Sequence, residues 1–157
     1  THSAVHSLCP SARNLTDAQL DAIGESGGVV GVNFHVGFLR EDGEKNVHTP
    51  ISDIVRHIDY IATRLGIQHV ALGSDFDGAT MPAELGDVTG LPRIFRALGT
   101  LGYSASDLRS LARGNWLRVL RSDKRAIFKH AADAQRACDY LIARSEAGRA
   151  GEVDQAA

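Results

Sequence analysis

The chain has 157 residues, enough for one domain with its own core, and its 43% hydrophobic and 23% charged content is ordinary for a soluble globular protein. A formal net charge of -2 gives no electrostatic case for nucleic acid or an anionic membrane as a partner. No apolar run approaches a membrane span and no secretory pattern is present, although the chain begins at Thr1 rather than Met.

Residues 1–6 read as the end of a strand that begins outside this sequence. His2 and His6 stand at i and i+4, a metal spacing on a helix, but the Glu of a zinc-protease helix is absent and His6 reads as a solvated or packed side chain. Residues 7–14 read as loop. Cys9 and Cys138 lie far apart without metal spacing and read as two free thiols in a reducing compartment.

A helix over residues 17–26 is well marked. Thr16 and Gln19 form a capping box, Leu15 and Leu20 the staple around it, and Gly27 with Gly28 the stop. Val29 to Phe34 is a near-continuous apolar run rich in β-branched residues, the pattern of a strand covered on both faces. Residues 35–49 follow as a long polar loop with His35, Phe38, Arg40 and His48, and a loop of this length is usually functional or mobile.

Thr49 and Pro50 open the next helix, on which Ile51, Ile54, Val55, Ile58, Ile61, Ala62 and Leu65 follow the 3.6-residue period. His57 and Arg64 fall off that face and read as solvent-facing. Gly66 ends the helix. Residues 69–72 form a second strand that delivers Gly73-Ser74-Asp75-Phe76-Asp77-Gly78 into a loop. Carboxylates at the end of a buried strand, flanked by small residues, suit catalysis in α/β folds, and the same string also suits an Asx turn. Pro92 opens a further helix. Ser104 and Asp107 make a second capping box, with Tyr103 and Leu108 as staple, on a helix that carries Leu108, Leu111, Ala112, Trp116, Leu117 and Leu120, with a weak point or a place of close packing at Gly114-Asn115. From Ser122 onward the apolar residues at helical spacing predict a long C-terminal helix, with a frayed tail over residues 148–157. The alternation of helix and strand predicts an α/β fold with a parallel sheet.

Four stretches in order carry a family resemblance: Thr1-His2-Ser3 with Arg13-Asn14, residues 27–34, residues 73–78, and Gly114-Asn115-Trp116-Leu117-Arg118-Val119. Together with the Leu91-Pro92 helix start they resemble the C-terminal part of the membrane (renal) dipeptidases, the M19 metallopeptidases, over roughly residues 1–121. The resemblance implies the C-terminal portion of a (β/α)8 barrel, about three strands with their helices, followed by a helical extension over residues 122–157 that the resemblance does not cover. It implies zinc-dependent hydrolysis of dipeptides by a binuclear site. It makes His2 a zinc ligand, Arg13 the anchor of the substrate carboxylate, and Asp75 the catalytic carboxylate beside the bridging water. It puts His35 and Phe38 in the substrate pocket, with Asp77 as a neighbour.

The chemistry suits these residue types. A paired metal site activates water and clamps a carbonyl, a carboxylate relays the proton, and an arginine fork holds a free carboxylate. The family's remaining ligands, a His-x-Asp pair, a bridging Glu and a further His, lie in its N-terminal half and have no counterpart in these residues. The expected partners are therefore a dipeptide and the missing N-terminal half of the barrel, with a homodimer open and nucleic acid excluded. The isolated chain is expected to be inactive. A cytoplasmic location is favoured, with periplasm or secretion left open. Two other functions compete: another binuclear barrel hydrolase such as a lactonase or amidohydrolase, and a non-catalytic interaction protein that retains His2 and Asp75 as relics.

Overall fold

The computed structural model describes residues 1–127, with side chains through Ser122. Within the compact unit Thr1–Val119, helices and strands alternate as expected: α1 (Asp17–Glu25), β1 (Val30–Asn33), α2 (Ile51–Leu65), β2 (Val70–Ser74), α3 (Leu91–Thr100), α4 (Ala105–Arg109) and the start of α5 (Asn115–Ile127). The long C-terminal helix expected beyond residue 127, and Cys138, lie outside the described residues. Cys9 is a free, buried thiol.

β1 and β2 pair in parallel, and every residue of β1 is buried. The segment ahead of α1 adds to the other edge of β1. Ser3 bridges Val32 in parallel, its N–H donating to the Gly31 carbonyl (3.3 Å) while the Asn33 N–H donates back to the Ser3 carbonyl (2.9 Å). The strand end expected at residues 1–6 is therefore present, and the chain shows a partial parallel sheet. Because this segment is extended, His2 and His6 do not share a helix face.

The register between β1 and β2 slips by one residue at Val32/Asn33, and Gly73 is the extra residue. A Cβ at Gly73 would stand 2.4 Å from the Gly31 carbonyl oxygen, so only glycine lets the two backbones approach this closely. A bulge turns the chain that follows it, and here that chain leads through Ser74, the end of β2, into Asp75.

Helix α2 forms the body of the core. Ile51, Ile54, Val55, Ile58 and Ile61 are buried along its apolar stripe, and burying each such side chain is worth roughly 1.5–3 kcal/mol. Its N-cap is Pro50, which has no side-chain acceptor, and Glu84 supplies one from another loop by accepting the Ile51 N–H at 2.9 Å. Arg64 is exposed and pairs with Asp21 and Asp17 of α1, as its position predicts.

His57 does not face solvent. It is fully buried, with Nδ1 accepting the Val5 N–H (3.0 Å) and Nε2–H donating to the Leu39 carbonyl (2.9 Å). Each nitrogen meets a backbone group that would otherwise be orphaned, which offsets the cost of burying the ring.

The single helix expected over residues 104–120 is interrupted. Its capping box is formed, but a π-helical turn, Ser110–Gly114, separates α4 from α5 at the anticipated weak point. A π turn advances the helix phase by about one residue. Of the apolar residues on this stretch Leu111 is buried, while Ala112, Leu117 and Leu120 are exposed. Asn115 and Trp116 turn inward. Asn115 donates to the Ile67 (2.7 Å) and Val70 (2.8 Å) carbonyls, and Trp116 Nε1 to Leu72 (3.0 Å). The indole then lies so close to β1 that a Cβ at Gly31 would meet its Cζ2 at 2.8 Å.

Candidate active site

The ends of β1, β2 and the leading segment converge. Four non-glycine residues among those described adopt positive φ, and all belong to two of these ends: His2 (60°), Ser74 (28°), Asp75 (71°) and Asp77 (64°). Such backbone costs of order 1–3 kcal/mol per residue and persists where surrounding structure imposes it. Here the Gly73 bulge turns the chain, and the Ser74 carbonyl is held by the Phe34 N–H at 3.0 Å.

The result is a facing pair. Asp75 Oδ1 lies 3.9 Å from His2 Nε2, with both side chains partly open to solvent. The other oxygen, Oδ2, accepts a hydrogen bond from Asn33 Nδ2 at 3.0 Å. Asn33 is fully buried, and its Oδ1 accepts the His35 N–H at 2.6 Å. His35 Nδ1–H donates to the Thr80 carbonyl (3.2 Å), which also accepts the Val36 N–H (3.1 Å). These bonds stitch the loop after β1 to the loop after β2. Phe34 packs edge-on against Phe76 beneath them, with ring centroids 5.9 Å apart.

Arg13 approaches from the leading segment. The Ser3 hydroxyl donates to its carbonyl at 2.9 Å, which seats it beside the His2 end. Its guanidinium lies 5.6 Å from the centre of the Phe38 ring, and Phe38 in turn packs edge-on with His35 at 4.8 Å. Arg13 is exposed and forms no ion pair among the described residues. A cation held on an aromatic face without a carboxylate partner is available to an anion from outside.

Two separate groupings result. His2 and Asp75 face each other, with Asn33 behind Asp75, while Arg13, Phe38 and His35 form a continuous row beside them. Asp77 stands apart, exposed, and lines a hollow of 470 Å³ with Phe76, Met81 and Val88. A larger hollow, 690 Å³, lies between α2 and α3 and includes Val55, Arg56 and Leu101, but no residue of either grouping. The sequence motif contains Asn33 and Gly78 without giving them a role. An amide ending an otherwise apolar buried strand is the signal that could have singled out Asn33.

Among the described residues no three His, Cys, Asp or Glu side chains converge as a metal cage. Structural and catalytic zinc sites use three or four protein ligands, so His2 and Asp75 do not by themselves fit zinc.

The profile of the membrane dipeptidases, peptidase family M19, matches residues 1–132. An uncharacterised protein from the pqqA 5' region of Klebsiella pneumoniae is 59% identical over 122 residues, which are 78% of this chain and 45% of that protein. The dipeptidase aclJ of Aspergillus oryzae is 35% identical over 76% of this chain and 28% of its own length. A crystal structure of a metallopeptidase from Rhodobacter sphaeroides, liganded with a phosphinate mimic of the dipeptide L-Ala-D-Ala, superposes with a TM-score of 0.75 at 48% identity. It is covered over 34% of its length by 77% of this chain. The chain thus spans less than half the length of these relatives, and it belongs to the membrane dipeptidase family, peptidase family M19.

Proposed function

We propose that these residues form the C-terminal part of a zinc-dependent dipeptidase barrel, with residues 1–121 contributing its closing elements. The observation that carries the reading is the facing His2–Asp75 pair, in which both partners and the adjoining Ser74 hold positive φ. Strain of this kind is retained where a site requires a fixed geometry.

In this reading the substrate's free carboxylate docks on the Arg13 guanidinium, whose place over Phe38 limits its freedom before binding. His35, packed on the far side of Phe38, closes the pocket wall. Asp75 stands at the scissile amide. It takes a proton from the attacking water as the carbon–oxygen bond forms. It returns that proton to the amine nitrogen as the carbon–nitrogen bond breaks, leaving two amino acids. Zinc, when bound, would activate water and polarise the carbonyl. His2 would be one of its ligands, and the others would come from residues outside these 157. The shortage of ligands among the described residues and the length of the relatives both support that division.

The test is hydrolysis of L-Ala-L-Ala and L-Ala-D-Ala by the zinc-loaded whole enzyme, with Asp75→Asn beside it. The variant is expected to keep its fold and zinc content while kcat falls by about 10²-fold or more, the scale of a general base. Absence of dipeptide hydrolysis by the unmodified enzyme, or near-normal turnover by Asp75→Asn, would refute the assignment.

A further inference from the structure

We propose that Asn33 is a positioning residue for Asp75, tying down Oδ2 so that Oδ1 is the oxygen that reacts, and that Gly78 keeps Oδ1 clear. The proposal rests on the acid–base role given to Asp75 above.

The two carboxylate oxygens have different surroundings. Oδ2 is held by Asn33 Nδ2 at 3.0 Å. Oδ1 faces His2 Nε2 at 3.9 Å, beyond direct hydrogen-bond distance, on the partly open side of the pair. The orientation of the Asn33 amide is not free. Its Oδ1 accepts the His35 N–H at 2.6 Å, and turning the amide over would set this oxygen against the Asp75 carboxylate and the NH2 group against an N–H. Both new contacts would be repulsive inside a fully buried environment. One state of the amide therefore survives, and it always presents a donor to Oδ2.

The backbone alone does not fix this carboxylate. Ser74 and Asp75 both sit in the left-handed region just after the bulge. The Asn33 bond joins them back to the rigid end of β1.

Gly78 guards the other oxygen. Its φ is not positive, so conformation does not demand glycine there. Space does. A Cβ at position 78 would lie 2.7 Å from Asp75 Oδ1. That oxygen is the far end of a side chain, so the loop could accommodate alanine by rotating the carboxylate instead of unfolding. Rotation would break the bond to Asn33 and cover the reacting oxygen. The Gly78 N–H already donates to the Asp75 carbonyl at 3.2 Å, which keeps residue 78 beside it.

A double-mutant cycle tests the idea in the zinc-loaded whole enzyme, using Asn33→Ala and Gly78→Ala, each with Asp75 intact and in the Asp75→Asn background. With Asp75 intact, each is expected to lower kcat by about ten-fold or more at little change in KM, as displacement of a reacting group does. In the Asp75→Asn background each costs less than about two-fold, because the group they act through is gone. A structure of Gly78→Ala is expected to show the carboxylate turned out of the Asn33 bond. If Asn33→Ala does not fold, the Gly78→Ala arm decides alone. Equal losses in both backgrounds, or full activity of Gly78→Ala with Asp75 present, would overturn the positioning role while leaving Asp75 catalytic. Near-normal turnover of Asp75→Asn itself would overturn the acid–base assignment and this proposal with it.

Discussion

Replacing His57 with Gln should flatten the acid side of this protein's stability curve. Burial is the main reason the His57 ring titrates low, and the charge of Arg56 on the same helix adds to it, while the Leu39 carbonyl pulls the other way. The balance holds the folded pKa at about 4, against 6.5 for a free imidazole. The geometry gives the same direction, because a proton on Nδ1 would meet the Val5 N–H at 3.0 Å. The folded state therefore keeps a neutral ring over a range in which the unfolded chain takes up a proton. The stabilisation is complete above pH 6.5 and is lost progressively as pH falls from there through about 4. One proton gives a slope approaching 1.4 kcal/mol per pH unit, and the difference between the two pKa values sets a total of about 3 kcal/mol. Urea denaturation of the chain and of His57→Gln at pH 7.5, 6.5, 5.5 and 4.5 measures it, the difference between the two curves cancelling the carboxylates that titrate in both. The variant is expected to be the less stable protein at pH 7.5, by about 1–3 kcal/mol, because a single flexible amide does not span the Val5 N–H and the Leu39 carbonyl as the rigid ring does. The gap then narrows as pH falls. Parallel curves for the two proteins between pH 6.5 and 4.5 would refute the reasoning.

Two further outcomes follow from single contacts. Arg13→Ala is expected to raise KM for a dipeptide by about ten-fold to a hundred-fold in the whole enzyme, the value of a charge-assisted bond. Phe38→Leu should raise it by less, and an unchanged KM in Arg13→Ala would remove that residue from the substrate site. Gly73→Ala is expected to destabilise the fold by about 3 kcal/mol or more, since its Cβ meets backbone atoms that cannot rotate away. A thermal melt checks this directly, and a shift within about 2 °C would mean that the bulge is not tightly packed.

The capping boxes, the apolar stripe of α2 and the two strand runs were legible because each is a local pattern with one physical reading. The site was legible in part. The order of the motifs singled out His2 and Asp75, which face each other, while the hydrogen bond to Asp75 comes from Asn33, 42 residues earlier. The Glu84 cap on α2 comes from 33 residues later. Neither partner leaves a periodic trace, and neither does the bulge at Gly73, which adds one glycine to a strand that already tolerates small residues.

His57 and Arg64 show where periodicity stops being informative. At 100° per residue, seven residues separate them by only about 20° around the helix axis, so any stripe that includes one nearly includes the other. His57 is also only about 40° from Ile61, at the margin of the buried face. What distinguishes the two positions is what covers them. Two turns apart along α2, His57 lies between the Val5 and Leu39 backbones, each offering one polar group to one ring nitrogen. Arg64, in the last turn, meets the open carboxylates of Asp17 and Asp21. Imidazole presents one donor and one acceptor on opposite sides of a flat ring, which lets it enter a gap between two strands of loop. Guanidinium has only donors and would leave the Val5 N–H facing another N–H. Exchanging the two residues would therefore fail at position 57 and be tolerated at position 64, although the helix pattern ranks the two sites as nearly equivalent.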